Sequence, residues 1–119
     1  RVAARENAAL ELEGSSGKKL TNEDLIKATI AQSAFAAKSE EFASLVQNEI
    51  KKRVQSKDRG VKQAGFYVLM GASMPNVLIE LGFISNPAEE KKLNSSNYRD
   101  MLATSIYYAV LKYQKSFDD

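Results

Sequence analysis

The run Val77-Leu78-Ile79 constrains the fold of this chain more than any other stretch. Three successive apolar side chains leave no polar face, so as a strand the run needs cover on both sides. Such a strand belongs at the centre of a sheet with helices above and below. A carboxylate, Glu80, interrupts the run at once, two residues before Gly82. A second extended segment, Phe66-Tyr67-Val68-Leu69, precedes it across Gly71-Ala72-Ser73 and Met74-Pro75. Two strands make a thin sheet, and both would need further strands to bury two faces. The expectation is a helix-covered sheet of which this chain carries an incomplete part.

The remainder reads as helix. Residues 1–12 form a helix or the end of one, with Val2, Ala9 and Leu12 on one face and Glu6 and Glu13 outside it. Gly14-Ser15-Ser16-Gly17 stops it, and Lys18-Lys19 keeps the linker solvated. Thr21 can cap the next helix, whose first turn holds Glu23 and Asp24 at the positive end. Leu25, Ile26, Ile30, Ala34 and Ala37 make an apolar stripe, continued with a small angular drift by Phe42, Leu45, Val46, Ile50 and Val54. The drift allows one curved helix or two; one long helix packed into the core is the preferred reading. Lys51-Lys52-Arg53 then reads as a solvated helix end, where positive charge is favourable.

Lys57-Asp58-Arg59-Gly60 is a turn. Further on, Asn86-Pro87-Ala88-Glu89 has the chemistry of a helix start: Asn86 as N-cap, Pro87 at the first helical position, Glu89 as the capping-box carboxylate. That helix ends near Leu93, and another runs from Ser95 or Ser96 to about Lys115. Tyr98, Met101, Leu102, Ile106, Ala109 and Tyr113 give it a core-facing stripe. The five tyrosines fit core and rim positions better than a base-stacking platform.

Composition excludes several functions. At 119 residues and 44% hydrophobic, the chain is globular and has the size of one small domain. Its 17 basic and 15 acidic residues nearly cancel, and no basic cluster is interleaved with aromatics, so nucleic acid is not an expected partner. Without cysteine there is no disulfide, thiolate zinc site or cysteine nucleophile. Without histidine the chain cannot by itself complete a site that needs one. No apolar run approaches the ~20 residues of a membrane span, and residues 1–10 look helical rather than like a signal peptide. A start without methionine inside an amphipathic pattern is expected of a cut piece of a larger protein, and an expression boundary would look the same.

Two readings of Glu80 follow. It can sit at the exposed end of a strand and point into solvent, or the strand can deliver it to a cleft at the sheet's carboxyl edge, where open α/β sheets bind ligands. Burial of an unpaired carboxylate costs several kcal/mol, which favours a use for it. Gly82 adds to that case by permitting backbone conformations or close approaches that other residues resist.

Residues 59–93, RGVKQAGFYVLMGASMPNVLIELGFISNPAEEKKL, resemble the C-terminal part of the zinc-dependent N-acetylmuramoyl-L-alanine amidases of bacterial cell walls. The likeness is close over 59–66, at Met74-Pro75 and above all over 77–87; it extends through the last helix, with Arg5-Glu6-Asn7 a weaker match. It implies an α/β fold with a mostly parallel sheet flanked by helices. It also implies a catalytic zinc held by two histidines and a glutamate, all expected in an N-terminal half that this sequence lacks. The family's catalytic glutamate maps onto Glu80, as general base and acid in cleaving the amide between N-acetylmuramic acid and L-alanine. Arg59 and Gln63 become candidate substrate-binding or supporting residues. Glu6 is either a supporting partner or a solvated helical glutamate. Residues 10–55 fall where some division amidases carry a regulatory arm released by an activator protein. Peptidoglycan is the implied partner, and the periplasm or cell envelope the implied location. A module that keeps the fold but only binds peptidoglycan or a protein is the alternative, and a helical interaction domain a third.

Overall fold

The computed structural model describes residues 2–12 and 21–118. In chain order the elements are α1 (Val2–Leu12), α2 (Asn22–Arg53), a 3-10 turn (Tyr67–Leu69), α3 (Pro87–Leu93) and α4 (Ser96–Asp118). The expected linker at 14–19 lies outside the described residues, as do Glu13 and the side chains of Val2 and Leu12. The chain divides into two compact units, one joining 1–39 with 62–77, the other 40–61 with 78–119.

The expected sheet is not there. Among the described residues no segment forms a strand, so the α/β expectation, with its mostly parallel sheet, is overturned in favour of an all-helical architecture. Residues 66–70 close on themselves instead: Leu69 N donates to Phe66 O at 3.1 Å and Met70 N to Tyr67 O at 3.1 Å. Amides spent on such a turn cannot make a ladder. Residues 77–82 have no regular structure, and Ile79 is partly buried against the helical core rather than between strands. The apolar run is only partly covered, and it lacks the pairing partner that a strand also needs.

In the first unit, α1 contacts the 3-10 turn. Asn7 makes the joint, its Nδ2 donating to Gly65 O at 3.0 Å and its Oδ1 accepting from Tyr67 N at 2.8 Å. On α2, Thr21 Oγ1 accepts from Asp24 N at 3.1 Å while Asp24 Oδ2 accepts from Thr21 N at 3.1 Å. Two helix-start amides are thereby satisfied reciprocally. Ser39 Oγ accepts from Asn76 N at 2.9 Å, fixing the chain just before Val77.

The second unit holds the core: Val46, Ile50 and Val54 against Leu102 and Ala109, ringed by Phe42, Leu45, Ile79, Leu93, Tyr98, Met101 and Ile106. The spacings of three and four residues put each set on one helix face. Phe42 stacks on Tyr113 with ring centres 4.7 Å apart. The preferred single long helix is what forms, but only its C-terminal part is core: Ile26 and Ile30 are 61% and 65% exposed.

A buried carboxylate accompanies this core. Glu49 is 2% exposed and is gripped by Arg53 at 2.7 Å, Lys52 at 3.1 Å and Lys112 of α4. Hydrogen bonds from Lys112, then Arg53 and Lys52, pull its pKa from the ordinary 4.5 to about 2. Lys52 keeps the exposed position expected at this helix end, whereas Arg53 is half-buried against Glu49. Lys51 instead pairs with Asp58.

Candidate functional site

Glu80 is exposed and lines a small depression with Ser56, Lys57, Arg59, Leu81, Glu89, Lys92 and Tyr98, all within the second unit. The depression holds only about 50 Å³, room for a few waters rather than a saccharide-peptide. Because Glu80 is exposed, the cost of burying a carboxylate gives no reason for its presence.

Each wall has a local cause. Beyond α2, Gly60 takes a positive φ of 79°, and its amide donates to Asp58 Oδ1 at 2.8 Å. Asp58 is tied back to α2 through Lys51 and Gln47. The Lys51 ammonium, then the Gly60 amide, hold its carboxyl below the usual aspartate range. This anchored segment presents Arg59 at the depression.

The opposite wall is α3. Asn86 Oδ1 accepts from Ala88 N at 3.0 Å and Glu89 N at 3.2 Å, and Pro87 opens the helix, as expected from the Asn-Pro pair. Glu89, however, does not close a capping box. Its Oε2 accepts from Phe83 N at 3.0 Å and its Oε1 from Arg59 Nη2 at 2.9 Å. The amide of Asn86 goes to Phe83 O at 3.0 Å instead. The Arg59 guanidinium, then the Phe83 amide, keep the Glu89 carboxyl below its usual range. Lys92 Nζ donates to Gln55 O at 2.8 Å, joining α3 to the segment after α2.

Between the walls, Gly82 has a φ of +148°. A Cβ there would meet Leu93 Cδ1 at 3.5 Å and Glu89 Cβ at 3.7 Å, ordinary contacts, so conformation rather than space asks for glycine.

Of the residues singled out from the sequence, the structure brings Glu80 and Arg59 to one depression. Gln63 belongs to the other unit, is exposed and is not among the lining residues. Glu6 is half-buried on α1. Sequence reasoning missed Glu89 as a tether and Glu49 as a buried charge. The i+3 and i+4 cations after Glu49 were a readable signal, but Lys112 was not. Among the described residues no three metal-ligating side chains cluster, and the sequence has no histidine or cysteine, so the described residues do not by themselves fit a zinc site. No described helix is long and apolar enough to cross a membrane.

Comparison with known proteins adds the family. Residues 15–112 match the N-acetylmuramoyl-L-alanine amidase family. The N-acetylmuramoyl-L-alanine amidase AmiA of Escherichia coli is 34% identical over 99% of this chain and 41% of its own length. An uncharacterized cell wall amidase of Bacillus anthracis is 43% identical over 60% of this chain and 14% of its own. The germination-specific N-acetylmuramoyl-L-alanine amidase of Bacillus subtilis is 36% identical over 65% of this chain and 33% of its own. The chain therefore spans less than half the length of these curated relatives. No solved structure matches.

Proposed function

Because the chain belongs to the N-acetylmuramoyl-L-alanine amidase family, we propose that the full-length protein hydrolyses the amide between N-acetylmuramic acid and L-alanine in peptidoglycan, with Glu80 as general base and acid. What carries this reading is the family match over residues 15–112, which includes the 77–87 motif bearing Glu80. The geometry supports it: Glu80 is exposed, beside Arg59, at the edge of a depression.

The chemistry assigned to this chain is proton transfer. Glu80 takes a proton from the attacking water and passes it to the leaving amine, a contribution worth roughly 10²- to 10⁴-fold in rate. The zinc implied by the family resemblance would supply Lewis-acid activation of that water, and the resemblance puts its ligands in the N-terminal part of the family's domain. Arg59 is a supporting residue in this proposal, Gln63 is a candidate only through its match to the family motif, and the cell envelope or periplasm is where the substrate would be met. An activator acting through residues 10–55 remains part of the proposal, motivated by their place in the chain. Unchanged unstimulated activity after deletion of residues 10–20 would remove it.

The test is product analysis. Purified full-length protein incubated with peptidoglycan is expected to release stem peptides with a free L-alanine amino terminus. Activity should vanish on chelation and return with Zn²⁺. Binding without any released peptide would favour the non-catalytic module instead.

A further inference from the structure

We propose that Glu89, braced by Arg59, is the positioning residue that holds the Glu80 segment in place. The proposal rests on the amidase reading of Glu80 and deepens it. Residues 80–83 belong to neither helix nor strand, so no regular backbone ladder fixes where Glu80 points. One restraint on the segment comes from Phe83, three residues on. Its N–H donates to Glu89 Oε2 at 3.0 Å, and its C=O accepts from Asn86 N at 3.0 Å. Its ring lies under the Arg59 guanidinium, 4.9 Å from carbon to ring centre. Main chain and side chain of one residue are therefore gripped by the same Arg59–Glu89 pair.

The pair is itself anchored. Arg59 follows Asp58, which is tied to α2, and α3 is tied to Gln55 through Lys92. Gly82 supplies the positive φ between Glu80 and Phe83. Glu80, Arg59 and Glu89 all line one depression, so two carboxylates sit in one place with separate tasks. Glu89, committed to a guanidinium and an amide, stays ionised and does not compete for the proton Glu80 would carry.

A purely structural role predicts something different. The Arg59 and Glu89 side chains are 40% and 21% exposed, and such solvent-accessible pairs contribute little to stability. Misplacing a catalytic group by about 1 Å can cost on the order of 10²-fold. Loss of the pair should therefore appear in turnover far more than in melting.

The experiment uses full-length protein and a muropeptide substrate, with Glu89→Ala, Glu89→Gln, Arg59→Ala, the double variant Arg59→Ala/Glu89→Ala, and Glu80→Gln as reference. Glu89→Ala is expected to lower kcat about 10- to 100-fold with KM within about twofold and little change in Tm. Glu89→Gln, whose amide oxygen can still accept from Phe83 N, should fall between Glu89→Ala and wild type. The double variant should be no worse than its worse single. A Glu89→Ala kcat within about twofold of wild type overturns the proposal, as does a rise in KM in its place or a loss matched by unfolded protein. The underlying reading fails separately: if Glu80→Gln turns over normally, there is no catalytic carboxylate to position, whatever Glu89 does.

Discussion

Helix α2 crosses from one compact unit into the other, and its two parts treat the same kind of sequence in opposite ways. In the part before residue 40, the stripe residues Ile26 and Ile30 are 61% and 65% exposed. In the part after it, Val46 and Ile50 are 3% and 8% exposed, and Glu49 is buried with them. Both stretches show helical spacing of apolar residues, so spacing settles the helix and not its burial. What separates them is the partner. Leu102 and Ala109 of α4 receive the second stretch, and Lys112 neutralises the carboxylate that comes with it. A charge on a buried face is tolerable because its counter-charges arrive on the same packing surface.

This contrast can be broken by substitution. Ile50→Ala, which opens a cavity in the α2–α4 core, is expected to destabilise the protein by about 2–5 kcal/mol in chemical denaturation. A loss below about 1 kcal/mol would mean that the two stretches of α2 are alike. Acid should have a smaller effect on the same region. The folded pKa of Glu49 lies below its unfolded value, so its stabilisation is complete above about pH 4.5 and disappears as pH falls towards 2. A Glu49→Gln variant should lack that acid-dependent loss, and an unchanged pH profile would count against the cluster.

The exposed stretch should respond differently. Thr21→Ala removes the cap that accepts from Asp24 N and is expected to cost about 1 kcal/mol, seen as faster amide exchange in the first turns of α2. Ile30→Ser should cost about 0.5 kcal/mol or less, because the side chain is already in water and the two residues have similar helix propensity. If Ile30→Ser cost as much as Ile50→Ala, the exposure of the first stretch would be wrong.

The same distinction explains what could be read from the sequence. Helix starts were legible because their chemistry is local: Asn86-Pro87 gives α3 its beginning, and Thr21 with Asp24 gives α2 its own. The strands were misread because their apolar residues announced burial without naming a partner. Phe66 to Leu69 closed into a turn, and Ile79 found helices. At the site, Glu80 and Arg59 were singled out by family resemblance, and the structure places both at one depression. Glu89 was recognised only as part of a helix start; its reach back to Phe83 and across to Arg59 depends on a fold that residue spacing does not encode. Glu49 was passed over for a similar reason, since its third cation comes from α4.

The central claim is that Glu80 moves the proton in amide hydrolysis. The direct measurement is kcat for muropeptide hydrolysis by full-length wild-type and Glu80→Gln protein, at equal metal content and with folding checked by circular dichroism. A fall of roughly 10²- to 10⁴-fold with little change in KM is the predicted result. Turnover at the wild-type rate by the folded, metal-loaded variant would contradict it.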